Sequence, residues 1–264
     1  GFEGQPSARI MWAPHAQHRL WAGVSRAVRT PARYEQSLTA LTRVNQPNPP
    51  IPFPVAIVTQ GNPNFRSEEV ISYEAGYRTS FSKSISLDIT GFYNNYRDLR
   101  QTILGSLTPG SVFTQNVMFS NGLDVHSYGI EVATVWQMLD WWRWDITYSW
   151  LHTQLNQNGQ QELPVSPQHR ASLRGSVSPW NHVDMDLWFR YVDSNTAQNQ
   201  FGAFRIKPYV TLDLRLAYRP LKNLELSLVG QNLLAEKHLE FVNEIQTLPT
   251  AIDRGMYGKI SWGF

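Results

Sequence analysis

The sequence predicts an all-β protein, an antiparallel transmembrane β-barrel, on three observations. Apolar and polar residues alternate with period two along most of the chain, and successive strand side chains point to opposite faces. The alternating segments run about 10–13 residues, which suits a tilted membrane strand. Short turns alternate with long connections, as when one barrel rim faces the periplasm and the other the outside.

Eleven segments are expected in order. The first two, near 5–13 and 18–29, meet at the turn Pro14-His15-Ala16-Gln17. Segments near 67–81 and 84–97 meet at Ser82-Lys83; in the latter, Ile85, Leu87, Ile89 and Tyr93 oppose Ser86, Asp88, Thr90 and Asn94. Segments near 112–137 and 142–153 meet at Met138-Leu139-Asp140, and Trp142, Trp144, Ile146, Tyr148 and Trp150 oppose Arg143, Asp145, Thr147 and Ser149. Segments near 166–178 and 182–194 flank Pro179-Trp180-Asn181, with Met185, Leu187, Phe189 and Tyr191 against Asp184, Asp186, Trp188 and Arg190. Segments near 207–219 and 222–233 flank Pro220-Leu221, with Val210, Leu212, Leu214 and Leu216 against Thr211, Asp213 and Arg215. The last, near 254–264, carries Met256, Gly258, Ile260, Trp262 and Phe264 on one face. Long connections cover about 30–66, 98–111, 154–165, 195–206 and 234–253, and no segment has a competing helical period.

Composition decides which face is wet. Charged residues are 17% of the chain and aromatics 12%, whereas soluble domains carry about 25% charge. Trp12, Trp136, Trp142, Trp180 and Trp262 cluster beside the short turns, as an interfacial girdle requires. Tyr128, Trp150, Tyr191 and Tyr209 are placed to form a second girdle at the loop rim. The apolar face therefore meets lipid and the ionic face an aqueous lumen. An odd strand number cannot close a bacterial single-chain barrel, so either the count is off by one or the chain is part of a larger barrel. The start at Gly1 without a leader reads as processing or truncation. The longest apolar runs are four residues, such as Val55-Ala56-Ile57-Val58, far short of the roughly 20 a spanning helix needs. The net charge of +2 gives no reason to expect nucleic acid as a partner, and the lack of cysteine excludes disulfides and thiolate metal sites.

Six fragments, in order, resemble TonB-dependent outer-membrane receptors. They are Ala27-Val28-Arg29-Thr30-Pro31 in the first hairpin, then Ser67-Glu68-Glu69 with Tyr73-Glu74-Ala75-Gly76-Tyr77-Arg78. Gly91-Phe92-Tyr93-Asn94-Asn95-Tyr96-Arg97-Asp98-Leu99 and Tyr128-Gly129-Ile130-Glu131-Val132 follow. Gly230-Gln231-Asn232-Leu233-Leu234 and Arg254-Gly255 through Phe264 complete the set. The resemblance implies that residues 1–264 are the carboxy-terminal part of a 22-stranded barrel, a fragment without the plug domain. It further implies a Gram-negative outer-membrane receptor for TonB-energised uptake of a scarce small-molecule ligand, siderophore-, haem-, cobalamin- or sugar-like. The TonB complex would act through the plug that the chain lacks. A complete twelve-stranded barrel acting as a passive pore or enzyme is the alternative, and a soluble all-β binding domain is the third reading.

Met256, Gly258, Ile260, Trp262 and Phe264 resemble the C-terminal signal read by the barrel-assembly machinery. Asp184 and Asp186 are read as lumen wall, ion-paired to Arg170 and Arg174 on one side and Arg215 on the other, rather than as an acid/base pair. The seven histidines are scattered and single out no metal site. No catalytic motif, cofactor site or phosphate loop is present in the sequence pattern. The Pro-rich stretch 30–66 is expected to be an outer loop at the ligand entrance.

Overall fold

A computed structural model describes residues 2–47, 52–110, 112–155, 166–199, 202–242 and 250–263. β1 (Ser7–His15) and β2 (His18–Arg29) form the first hairpin. A short helix α1 (Arg33–Ser37), β3 (Thr39–Asn45) and β4 (Val55–Gln60) come next. The wall resumes with β5 (Glu68–Ser80), β6 (Ile85–Thr108), β7 (Phe113–Leu139) and β8 (Trp142–Leu155). It continues through β9 (His169–Trp180) and β10 (Val183–Val192). A small hairpin of β11 (Asn195–Asn199) and β12 (Gly202–Ile206) precedes β13 (Tyr209–Leu221) and β14 (Leu224–Gln231). Two-residue strands β15 (Lys237–His238) and β16 (Ile252–Asp253) pair before β17 (Gly255–Trp262).

Eleven strands form one continuous path, β1-β2-β5-β6-β7-β8-β9-β10-β13-β14-β17, and β1 and β17 are its two edges. Each expected segment became one wall strand. The turns lie at the predicted places, and Pro14, Pro179 and Pro220 each fall one residue before the strand end, where the register shifts and a missing N–H breaks no regular ladder pair.

The faces are inverted relative to a soluble sheet. On β13, Leu214, Leu216 and Tyr218 are 40–50% exposed, while Ala217 and Thr211 on the other face are 0% and 1% exposed. Ala217 lies among the charged side chains of the polar face, opposite Asp184 and Ser227. Trp12, Trp180 and Trp262 stand exposed beside the short turns, as a girdle does. A wall strand of twelve residues is about 40 Å long and, tilted by about 45°, spans roughly 28 Å of bilayer.

Several of the long connections contain strands that the alternation did not assign to them. Residues 30–66 hold α1 and the β3–β4 hairpin, and β4 pairs in parallel with β7 through Val55↔Phe113 to Gln60↔Met118. Among the described residues, Pro31 precedes α1, Pro47, Pro52 and Pro54 lie between β3 and β4, and Pro63 follows β4, so none interrupts a ladder. The connection expected at 98–111 is mostly strand, since β6 and β7 run 24 and 27 residues. At about 3.4 Å per residue these exceed the bilayer about twofold, so their hairpin stands above it. Residues 195–206 form the β11–β12 hairpin, whose Ala197 and Ile206 pack with Val242.

Candidate functional site: the polar wall and the loop rim

The polar face is cross-linked strand to strand. Arg78 reaches Asp88 at 2.5 Å and Arg190 reaches Asp213 at 2.8 Å across neighbouring strands, while Arg143 pairs with Asp145 at 2.6 Å along β8 itself. Asp186 takes Arg215 at 2.9 Å, Asp184 takes Arg219 at 2.5 Å, and Glu225 bridges both arginines at 2.7 and 3.2 Å. Arg215 was foreseen as a partner. On the other side, the hydroxyls of Ser176 and Ser178 donate to Asp186 and Asp184 at 2.8 and 2.7 Å, in place of Arg170 and Arg174. Arg174 instead stands in register with Asp145 and Trp188, one step from the carboxylates it was matched to. Such half-wet pairs contribute about 0–1 kcal/mol each, and their number makes a hydrated wall of mixed sign. A depression of about 540 Å³ opens on it, lined by Asp88, Thr90, Glu131, Ser149, Arg170 and Arg190 among others.

The sequence motifs resolve into close packing. Trp21 crosses from β2 onto Gly76 of β5, where a Cβ would come within 2.4 Å of its indole nitrogen. The Arg9 guanidinium covers the other side of that ring at 3.9 Å. Phe92 of β6 lies on Gly129 of β7, where a Cβ would meet the ring at 2.8 Å and the Trp150 carbonyl oxygen at 2.1 Å. Two further fragments each contain a left-handed residue, Asp98 and Asn232, both at φ 55°. Asp and Asn tolerate that region. Asn232 holds the turn by donating its N–H to Asp213 at 2.9 Å and its amide to the Asp253 carbonyl at 3.1 Å.

At the loop rim, Glu35 of α1 is fully buried. It accepts both Nη groups of Arg29 at 3.1 and 2.9 Å and the Ala32 N–H at 2.7 Å, with Arg100 Nη1 at 3.4 Å. Arg29 also donates to Glu68 at 2.6 and 2.7 Å, and Glu68 accepts the Arg100 N–H at 2.8 Å. The cluster joins β2, α1, β5 and β6. Gly61 and Asn62 then tie the end of β4 to α1, donating their N–H groups to Leu38 and Glu35 at 2.7 and 2.8 Å.

Burial pushes the Glu35 carboxyl up, but the Arg29 hydrogen bonds, the Ala32 N–H and the flanking guanidinium charges outweigh it and hold its pKa below the usual value. A lowered carboxyl stabilises the fold above the ordinary carboxylate range, and the contribution is lost as pH falls through the lowered value. Hydrogen exchange at residues 31–38, corrected for intrinsic rate, is expected to stay slow from about pH 7 to 5 and to accelerate below about 4. A pH-independent protection would contradict this.

The girdle and the histidines depart from expectation. Tyr209 pairs with Val192, which puts it on the polar face with Thr211 and Arg190 rather than on the lipid-facing one. The histidines His126, His152 and His169 converge on the outer face near the loop rim, beside Tyr93, Tyr128 and Tyr148. Their separations in sequence hide this, because cross-strand register brings them together. Of the C-terminal set, Met256, Ile260 and Trp262 are 71%, 74% and 59% exposed on the outer face, with Gly258 between them. Phe264 lies outside the described residues.

An edge-to-edge antiparallel wall, apolar outside and ion-paired inside, with tight turns at one rim and built loops at the other, defines the wall of a membrane β-barrel. The chain belongs to the TonB-dependent receptor-like β-barrel family, whose pattern matches residues 3–233. A search of the curated proteins found no significant match. Among solved structures, the chain is similar to a variant of the ferric enterobactin receptor PfeA from Pseudomonas aeruginosa in complex with enterobactin. There the TM-score is 0.74 at 17% identity, over 98% of this chain and 40% of that one. It is also similar to the siderophore receptor PirA from Acinetobacter baumannii, with TM-score 0.73 at 17% identity over 98% and 41%. The ferric-catecholate import receptor Fiu from E. coli K12 matches with TM-score 0.71 at 13% identity over 98% and 34%. The chain thus spans about 40% of the length of PfeA and PirA.

Proposed function

We propose that residues 1–264 are the carboxy-terminal part of the barrel of a Gram-negative outer-membrane receptor. Its function is active, TonB-energised uptake of a scarce small-molecule ligand, and a siderophore-like one is favoured. The observation that carries this is the inverted wall. Its apolar face has no other solvent than lipid, and its hydrated, mixed-sign face suits a lumen shared with a plug. The named activities of PfeA, PirA and Fiu support the ligand class. Capture falls to the loop rim, with the β3–β4 hairpin part of the entrance, and energy enters through a plug outside this chain.

The test is uptake of an iron-loaded catecholate by cells expressing the intact receptor, with and without TonB. Uptake that needs both is expected, and excision of residues 39–60 is expected to reduce it at least tenfold while leaving the barrel in the membrane. Equal uptake without TonB would reject the reading in favour of a passive pore.

The set Met256, Gly258, Ile260, Trp262 and Phe264 is proposed as the signal for the barrel-assembly machinery. Deleting Phe264 from the intact receptor is expected to lower its outer-membrane abundance severalfold in fractionated cells. Unchanged abundance would remove the signal role.

A further inference from the structure

The lipid-facing side carries a feature that a barrel wall does not require. Near the loop rim, tyrosine–histidine pairs cross each interface from β6 to β9. Tyr93 meets His126 with oxygen and Nδ1 2.9 Å apart, and the rings stack at 5.7 Å. Tyr128 lies 5.1 Å from the His152 ring and 5.8 Å from Trp150. Tyr148 meets Nδ1 of His169 at 2.8 Å. Register places all of them on one face: Tyr93 opposes Tyr128, Ile130 opposes Trp150, and Trp150 opposes His169. That face continues directly into the apolar strip of Ile130 and Ile146, both exposed. The pairs therefore stand where hydrocarbon gives way to headgroups.

Girdles are ordinarily Trp and Tyr, whose polar tips reach the headgroup layer. Imidazole adds a second nitrogen. Nε2 of His169 and both ring nitrogens of His152 make no hydrogen bond among the described residues. Neither side chain is fully buried. Among the described residues no three His, Asp or Glu converge as metal ligands would. At the near end of the band, exposed Arg97 shares the Tyr93 face and has no ion pair among the described residues. The acidic groups at that end are Glu69, taken by Arg26 at 2.6 Å, and Asp124, which accepts the Asp98 N–H at 3.2 Å.

We infer that this band is a binding surface for the phosphorylated headgroup of an outer-leaflet glycolipid, an inference that rests on the outer-membrane reading above. The Tyr148 hydroxyl and Nδ1 of His169 share a hydrogen bond, and the tautomer that accepts the hydroxyl proton at Nδ1 carries its own ring proton on Nε2. Nε2–H then points a donor at the headgroup layer. His152 supplies a second donor from the neighbouring strand, and Arg97 a formal charge at the band's edge. Phosphate oxygens accept such bonds strongly, and the apolar strip below accommodates the acyl chains of the same molecule. Tyr148 and Tyr93 are positioning residues, and the imidazoles make the contact.

The test uses the intact receptor in bilayer discs containing either a bis-phosphorylated glycolipid or its dephosphorylated form, with retained lipid counted by native mass spectrometry. The wild type is expected to hold the phosphorylated lipid preferentially. The His152→Ala/His169→Ala pair is expected to lose at least fivefold of that lipid and to leave the dephosphorylated one unchanged. Tyr148→Phe, which keeps the imidazole but frees its tautomer, is expected to lose part of the preference. Heat-modifiable migration confirms that each variant is folded. Equal loss of both lipids, or no loss of either, would overturn the inference and leave only aromatic packing. A wild-type receptor that enters neither bilayer would overturn the membrane reading together with it.

Discussion

Replacing Gly129 by Val is expected to abolish the folded receptor, with outer-membrane abundance and heat-modifiable migration both reduced more than tenfold. Glycine is required there for space. Its backbone is not in the left-handed region, but a Cβ would lie 2.1 Å from the Trp150 carbonyl oxygen and 2.8 Å from the Phe92 ring. The ring could turn away; the carbonyl belongs to the ladder between β7 and β8, where Ile130 opposes Trp150. Relieving the contact means moving one strand off its neighbour, which costs more than the ~1–3 kcal/mol of ordinary overpacking. The comparison is Gly91→Val on β6, where a Cβ would sit 3.9 Å from the Gly129 carbonyl oxygen and meet nothing nearer. Both changes add the same side chain to a wall strand. Abundance near wild type is expected for Gly91→Val, and equal damage from the two would show that strand glycine as such, rather than close approach, is what matters.

Glu35→Ala is expected to release α1 and the β3–β4 hairpin while leaving the wall folded. The carboxylate is the one anion on which Arg29, Arg100 and the Ala32 N–H converge from three segments. Its loss leaves the half-exposed Arg29 with Glu68 alone and the Ala32 N–H without its acceptor, at a cost on the order of 2–3 kcal/mol. That cost falls on the rim, since the wall strands are held by their own ladders. Hydrogen exchange should therefore accelerate about a hundredfold in residues 31–62 and stay unchanged in β8 and β9. Arg29→Lys should have a smaller effect in the same segments, because an ammonium keeps the charge but cannot span Glu35 and Glu68 together. Uniform acceleration across the wall would mean the cluster supports the whole sheet, and none would mean the rim is held by β4 on β7.

The two variants probe features that differ in how far they show in a linear chain. Gly129 stands in a fragment that resembles a family strand, so its importance is legible, but its reason is not: Phe92 is 37 positions away and meets it only through register. Glu35 carries no signal at all. A Glu in a Pro-rich connection reads as a solvated loop residue, and only the convergence of β2, α1 and β6 buries it. The same holds for His126, His152 and His169. Asp184 and Asp186 lie between these cases. Their ladder partners on β13 follow from strand order, whereas the choice of Ser176 and Ser178 over arginine depends on a shift of register within β9 and β10.

Period-two alternation is a local property, set by each residue's pleat, and it was enough to specify eleven strands, their order, their tight turns and the inversion of their faces. The family fragments added the family, because each marks a strand's place along the wall. Which side chains meet across strands, and what the long connections build above the membrane, depend on contacts between residues tens of positions apart. Those contacts are chosen by register and by packing in three dimensions, so only the folded sheet reveals the rim cluster, the glycine seats and the outward tyrosine–histidine band.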